Sequence, residues 1–491
     1  MSLPPELIYT LGQFLTGPSL LASLQLNKHW HHSLISLLWA SISKSQWHHP
    51  AFPIQQPSKN FKGDDLPASL NLLSGQVLTR ILQATPNLTT LSLTIKTIGP
   101  RIKFFDAIRH LRNLRCLSMD IAMPCKGPLL LDKFYPLFSQ LEELSITGDW
   151  YHYTVPQVPD STTTSTALGL NQPWRVRKLR TSVETLSMLQ KCPHLVSLEL
   201  RSVSHLDNYA NRPLSLRPIL VCLNLQELRI TWRTPQYRVD DLVETLLALT
   251  HLRTLEYCVF RLEHLQFLVP PLSRQQPPPS FLRQMHAEAK EYRQLPLAVP
   301  ALEHIIINNV DINSNQNEEY GRLVPEILMT RPLLKTFLHF SSINLRTLFP
   351  QPGKDTNNKW ACTGLEKLAI RVTWMNQGES EEHTRQEVCR PMYRQLGEMK
   401  SLKSLTIWGK TIDKSPEGGI SQLAGAVKLE RLAIKDVQWW VVDREEMLSL
   451  VRAMGSKVNL LQLTPLQPGD SELVRECLQE AGRLDISLRE D

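Results

Sequence analysis

Along most of the chain an apolar residue is followed three positions later by a second and two positions after that by a third, with polar residues between them. Clear copies begin at Leu88, Leu114, Leu141, Leu195, Leu225, Leu252, Leu302, Leu365, Leu402 and Leu429, and weaker ones at Val176, Leu334 and Val458. Starts such as 88, 114 and 141, or 402 and 429, lie 26 or 27 residues apart, a spacing that marks a structural repeat. Within each copy the last two apolar positions straddle one polar residue, the period of a strand with one buried face. Between copies the period lengthens to that of a helix, as in Leu242, Val243, Leu246, Leu247 and Leu249. One such unit cannot close a core alone, so units must stack, and strands joined through helical segments run parallel. The pattern predicts an α/β fold built as a solenoid with a parallel sheet on its inner, concave side.

The first forty residues follow another rule. Leu3, Leu7, Leu11 and Leu15 recur every four positions with Ile8 and Phe14 beside them, which predicts a helix with a broad apolar face. Pro4 and Pro5 suit its first turn, and Gly17-Pro18-Ser19 ends it. Leu20, Leu21 and Leu24 start a second apolar run; Trp30, Leu34, Leu37, Leu38 and Trp39 make a third. Across residues 1–42 the only formal charges are Glu6 and Lys28, too few for helices that hide one face each, so an apolar face is left for a partner.

The order Leu3-Pro4-Pro5-Glu6-Leu7-Ile8, then Leu11, Leu15, Leu20-Leu21, Leu24-x-Leu26-Asn27-Lys28-x-Trp30 and Leu38-Trp39 resembles the F-box motif. Ser19 stands where that family often has an acid, and His29, His31 and His32 crowd the third helix. The downstream copies resemble leucine-rich repeats, and the two together look like the F-box proteins with leucine-rich repeats. The resemblance implies an F-box over residues 1–45, a linker over 46–70 and a solenoid over 71–491. It also implies that Leu3, Pro4, Pro5, Leu7, Ile8, Leu11, Leu15, Leu20, Leu21, Leu24, Trp30 and Trp39 dock a Skp-type adaptor. The chain would then be the substrate-recognition subunit of a cullin-RING ubiquitin ligase, with its repeats binding a target protein. Three alternatives stand beside this: a helical cap on the first repeat in place of an F-box, a repeat scaffold with no ligase role, and a basic solenoid that binds RNA.

Four segments interrupt the repeats and are expected as insertions: 148–173, 269–300, 350–362 and 376–390. The first carries Trp150-Tyr151-His152-Tyr153 and the tract Ser161-Thr162-Thr163-Thr164-Ser165-Thr166; the second carries Pro277-Pro278-Pro279. The 34 prolines against 20 glycines fit such a segmented chain. At 42% hydrophobic and 21% charged, the composition excludes wholesale disorder and a membrane protein. Eight cysteines are scattered without a Cys-x-x-Cys pair and read as reduced, mostly core-filling thiols. The opening residues lack the basic and apolar runs of a signal peptide, so the expected compartment is cytoplasm or nucleus.

Strand parity names candidate binding residues. If Leu228 and Ile230 face the core, Arg229 faces out; the same rule places Lys178, Arg180, Arg201, Arg371, Trp408 and Lys435 on the concave face. Such a row suits an acidic or phosphorylated protein segment. Glu199 and Glu227, on the same strands as two of the arginines, offer internal pairing instead. The parity sends Trp232 and Trp374 to the core. Net charge is +7, with the surplus between residues 171 and 300, while residues 301–491 hold 24 basic against 26 acidic residues. No phosphate-cradling, zinc-protease or nucleophile-elbow motif is present, neither the histidine cluster nor Cys116 or Cys258 has partners at catalytic spacing, and no cofactor or catalytic activity is expected.

Overall fold

The computed structural model describes residues 8, 11, 41–42, 89–95, 108–121, 135–148, 173–201, 215–231, 239–257, 260–269, 299–311, 317–349, 360–373, 381–409, 420–440, 444–454, 457–466 and 470–489. The chain divides into two units, Met1–Leu225 and Gln226–Asp491. In the first, strands β1 (Ser41–Ile42), β2 (Thr90–Ile95), β3 (Cys116–Ile121), β4 (Glu143–Gly148), β5 (Lys178–Ser182) and β6 (Ser197–Arg201) pair in chain order, every pair parallel. In the second, β7 (Glu227–Thr231), β8 (Thr254–Tyr257), β10 (His304–Ile307), β12 (Thr336–Asn344), β13 (Lys367–Thr373), β14 (Ser404–Trp408), β15 (Arg431–Trp440), β16 (Leu460–Leu466) and β17 (Ser487–Arg489) do the same. Between them β9 (Phe260–Arg261) and β11 (Val310–Asp311) form a separate parallel pair. The expected α/β class with a parallel sheet is therefore present in both units.

Register follows the apolar motif residue for residue. Leu117 stands beside Leu144 and Met119 beside Ile146 in the first unit. In the second, the middle motif position makes one column: Leu255, Ile305, Phe337, Leu368, Leu405, Leu432 and Leu461. All seven are buried. The weaker copies are full members, since Leu179, Phe337 and Leu461 occupy the same position as the leucines. At the C-terminal end β17 adds a strand that the sequence pattern had not marked, with Leu488 beside Leu461. Ahead of most strands one carbonyl accepts two amides of the next unit: Glu366 O takes Lys403 N at 2.8 Å and Ser404 N at 3.0 Å, and Arg115 O takes Glu142 N at 2.8 Å and Glu143 N at 3.1 Å.

Between the strands of the second unit run α1 (Val239–Ala248), α2 (Asn317–Thr330), α3 (Glu381–Glu398), α4 (Arg444–Ala453) and α5 (Asp470–Glu480). Each buries one stripe, as with Leu242, Val243 and Leu246 in α1, or Cys389, Met392, Tyr393 and Leu396 in α3. The insertion expected at 376–390 is corrected here. From residue 381 it is the first half of α3, a helix that runs on to Glu398. Trp360 and Cys362, at the end of the insertion expected at 350–362, are likewise core residues, with the Trp360 ring 5.0 Å from that of Phe349. Near the two ends of the insertion expected at 269–300 lie buried valines, Val269 and Val299. Buried Arg331 reaches both ends, donating from Nε to Leu268 O at 2.9 Å and from Nη1 to Val299 O at 2.6 Å. These carbonyls solvate a charge that would otherwise be costly to bury. Val299 itself has φ 46, a left-handed backbone that β-branched residues rarely adopt. The body of that insertion with its prolines, the Ser/Thr tract, Trp232, Trp374, Cys125 and Cys258 lie outside the described residues. No described helix is long and apolar enough to cross a membrane.

One core position is polar. His339 takes the third motif place in the copy that begins at Leu334, and it is fully buried. Its Nδ1 lies 2.9 Å from Ser341 O, which can only accept, so Nδ1 carries the proton and Nε2 accepts from the Tyr320 hydroxyl at 2.7 Å. Burial pushes His339 down to about 4 and pushes the Tyr320 hydroxyl up, so both groups stay neutral at physiological pH.

Two predictions follow from this packing. A methyl group on Gly397 would overlap the backbone carbonyl of Gln422, whereas one on Gly364 meets nothing within 4 Å. Gly397→Ala is expected to cost about 1–3 kcal/mol and lower the melting temperature, with Gly364→Ala near wild type in the same scan. For His339 the folded state binds its proton more weakly than the unfolded chain. Its contribution is therefore complete above about pH 6.5 and is lost as pH falls towards 4. Chemical denaturation across that window should show a decline in wild type that is reduced in the double variant Tyr320→Phe/His339→Leu.

Candidate interaction surface

Side chains in the strands alternate between core and surface as parity requires. In β14, Leu405 and Ile407 are buried while Ser404, Thr406 and Trp408 are partly exposed; β6 and β7 show the same alternation. All seven expected surface residues keep that orientation: Lys178, Arg201 and Arg371 are exposed, and Arg180, Arg229, Trp408 and Lys435 partly so. Their electrostatic surroundings then separate them into two groups.

In the first unit each cation has an acid. Lys178 Nζ lies 2.6 Å from Glu143 Oε1 on the neighbouring strand. Glu199 takes both arginines, Arg180 Nε on Oε2 at 2.8 Å and Arg201 Nε on Oε1 at 2.5 Å. Burial of the Glu199 carboxyl works upward, but hydrogen bonds from Arg180 and Arg201 outweigh it and hold the group below the usual carboxylate range. Here the internal pairing that the sequence offered as an alternative is what forms. These three cations are largely neutralised by acids on the same or the neighbouring strand, which weakens them as a recognition row. In the second unit Arg229 stands in register with Glu256.

Farther along the second unit the balance changes. Arg371, Trp408 and Lys435 occupy one register line on three adjacent strands. Lys367 and Arg431 share another line with Ser404, four residues earlier. None of these four cations has a side-chain hydrogen bond or ion pair among the described residues. Sequence parity also implied a residue that the candidate row omitted, Phe340 on β12. Its ring centroid lies 5.3 Å from that of Trp408, although β13 separates their strands. A break in register between His339 and Ser342 lets β12 reach across, and no periodicity signals such a bulge.

Of the residues expected to dock an adaptor, Ile8 and Leu11 are described, and both are helical. Ile8 is fully buried, while Leu11 is 48% exposed. Leu3, Pro4, Pro5, Leu7, Leu15, Leu20, Leu21, Leu24, Trp30 and Trp39 lie outside the described residues, as do His29, His31 and His32. Cys116 faces the surface, and its thiol is pushed up, by burial first and then by Glu143. That is the reverse of what activates a nucleophilic thiolate. Cys222 and Cys362 are buried, and burial pushes each up to about 12.

Compared with known proteins, the chain matches no protein-family model, and no curated protein matches it.

Glu199→Gln removes the charge that two arginines share. Because Glu199 is depressed in the folded state, its contribution is present above about pH 4.3 and is lost as pH falls through its folded value. The variant should be less stable than wild type by about 1 kcal/mol at neutral pH, and the two should converge in acid. Melting temperatures recorded as a function of pH check this.

Proposed function

We propose that the chain is a non-catalytic substrate-recognition subunit of a cullin-RING ubiquitin ligase, acting in the cytoplasm or nucleus. The nearly uncharged N-terminal segment docks a Skp-type adaptor, and the leucine-rich-repeat solenoid receives the target protein. The observation that carries the reading is the order Leu3-Pro4-Pro5, Lys28-x-Trp30 and Leu38-Trp39 placed directly ahead of a long series of stacked parallel units. Exposed Leu11 on a helical segment is consistent with a docking face. Parallel units stacked in register suit a receptor, because outward side chains from many strands share one rigid surface. The chain's own contribution to ubiquitin transfer is then proximity: it raises the effective concentration of the target near the conjugating enzyme.

The reading predicts that purified full-length chain captures a Skp-type adaptor directly. Trp30→Ala, and separately Leu3→Ala/Pro4→Ala, should abolish capture while thermal unfolding of the repeats is unchanged. Failure of wild type to bind the adaptor, or undiminished capture by both variants, would leave a scaffold without a ligase role.

A further inference from the structure

Strands β13, β14 and β15 present a grid of nine outward side chains in three register lines. The first line is Lys367, Ser404 and Arg431; the second is Ala369, Thr406 and Ala433; the third is Arg371, Trp408 and Lys435. Every corner is a cation, and no position on the grid is acidic. The middle line is short: Ala369 and Ala433 are only 6% and 9% exposed. It is therefore the floor of a shallow trough between two taller, basic walls. Adjacent strands lie about 4.8 Å apart and alternate residues about 6.6 Å apart along a strand, so facing cations stand roughly 13 Å apart across the trough. That width fits one extended peptide with side chains reaching either wall. Along the trough the floor continues onto β12 and β10 through Leu338 and Ile306, which are in register with Ala369. Trp408, backed by Phe340, supplies an aromatic wall midway between Arg371 and Lys435.

We propose that this trough binds an acidic, extended protein segment carrying one large apolar residue, its carboxylates or phosphates on the corner cations and the apolar residue against Trp408 and Phe340. Charge complementarity selects the occupant. Four like charges around an apolar floor repel one another in the free protein, and an acidic segment relieves that repulsion while forming charge-assisted hydrogen bonds. The contrast with Lys178, Arg180 and Arg201 is informative, since comparable strand positions there carry their own acids. A long polyanion such as RNA fits less well. Residues 301–491 as a whole are not basic, with 24 basic against 26 acidic residues, and nucleic-acid binding calls for an extended basic stripe. The proposal rests on the receptor reading above and specifies the chemistry of the target segment.

The test uses the full-length chain and a displayed library of random peptides. Wild type is expected to enrich sequences with several Asp or Glu residues flanking an aromatic or aliphatic one. A labelled member of that set should bind more weakly as salt rises. Arg371→Glu/Lys435→Glu should lose at least about tenfold in affinity, Arg371→Gln/Lys435→Gln somewhat less, and Trp408→Ala should lose the preference for the apolar residue. Enrichment of basic or uncharged peptides, affinity unchanged in the glutamine variant with its melting temperature intact, or competition by oligouridylate at equal concentration would each overturn the proposal. Adaptor capture, measured on the same preparations, separates the two readings. Capture without acidic-peptide selection overturns the trough alone, whereas acidic-peptide binding without capture overturns the ligase reading and leaves the trough standing.

Discussion

Everything in this chain depends on apolar side chains stacking in register from one unit to the next. A leucine in a single strand buries little by itself; its neighbours in the adjoining strands remove it from water. Leu405 is buried because Leu368 and Leu432 stand on either side of it. Register is correspondingly strict, since a slip of one residue would turn the column outward and bring lysines and arginines in. The paired amides that converge on one carbonyl ahead of most strands lock the same alignment from the backbone side.

Charge adds a second alignment at the entrance to the strands. In the second unit the residues joined through those carbonyls run Arg253, Glu303, Lys335, Glu366, Lys403 and Glu430, alternating in sign. Lys335 Nζ meets Glu303 Oε2 at 2.6 Å, Arg253 lies 3.6 Å from the same carboxylate, and Lys403 Nζ meets Glu366 Oε2 at 2.9 Å. Hydrogen bonds from Lys335 and Lys403 hold the two glutamates below the usual range. Exposed pairs of this kind add little stability singly. Their alternation still disfavours a shift by one unit, which would bring like charges together. Against this background of acids matched to bases, Lys367, Arg371, Arg431 and Lys435, which make no ion pair among the described residues, stand out as a departure from the rule.

The fold was legible because its repeat is written in residue type. Apolar residues at the second and third motif positions, a polar one between them, and a helical stripe before the next copy were enough to predict parallel strands in chain order. The weaker copies at Val176 and Leu334 followed from the same rule. Position 339 was harder to read, since a histidine at a core place is a pattern violation until Tyr320 and Ser341 satisfy its nitrogens. Within the segment 376–390 few residues are apolar, so the sequence reads as a polar insertion, whereas from residue 381 the chain is helical.

Which side chains point outward was determined by the sequence alone, because strand parity is local and a single buried leucine sets it for its neighbours. Which of the outward cations remain available was decided by tertiary structure. Pairing links residues on different strands, such as Lys178 with Glu143 and Arg180 with Glu199, and depends on register between units far apart in the chain. The meeting of Phe340 with Trp408 depends further on a bulge that brings rings together across an intervening strand. Parity is a property of one strand's backbone, whereas charge compensation and ring contact belong to the space between strands, and that space exists only once the units have stacked.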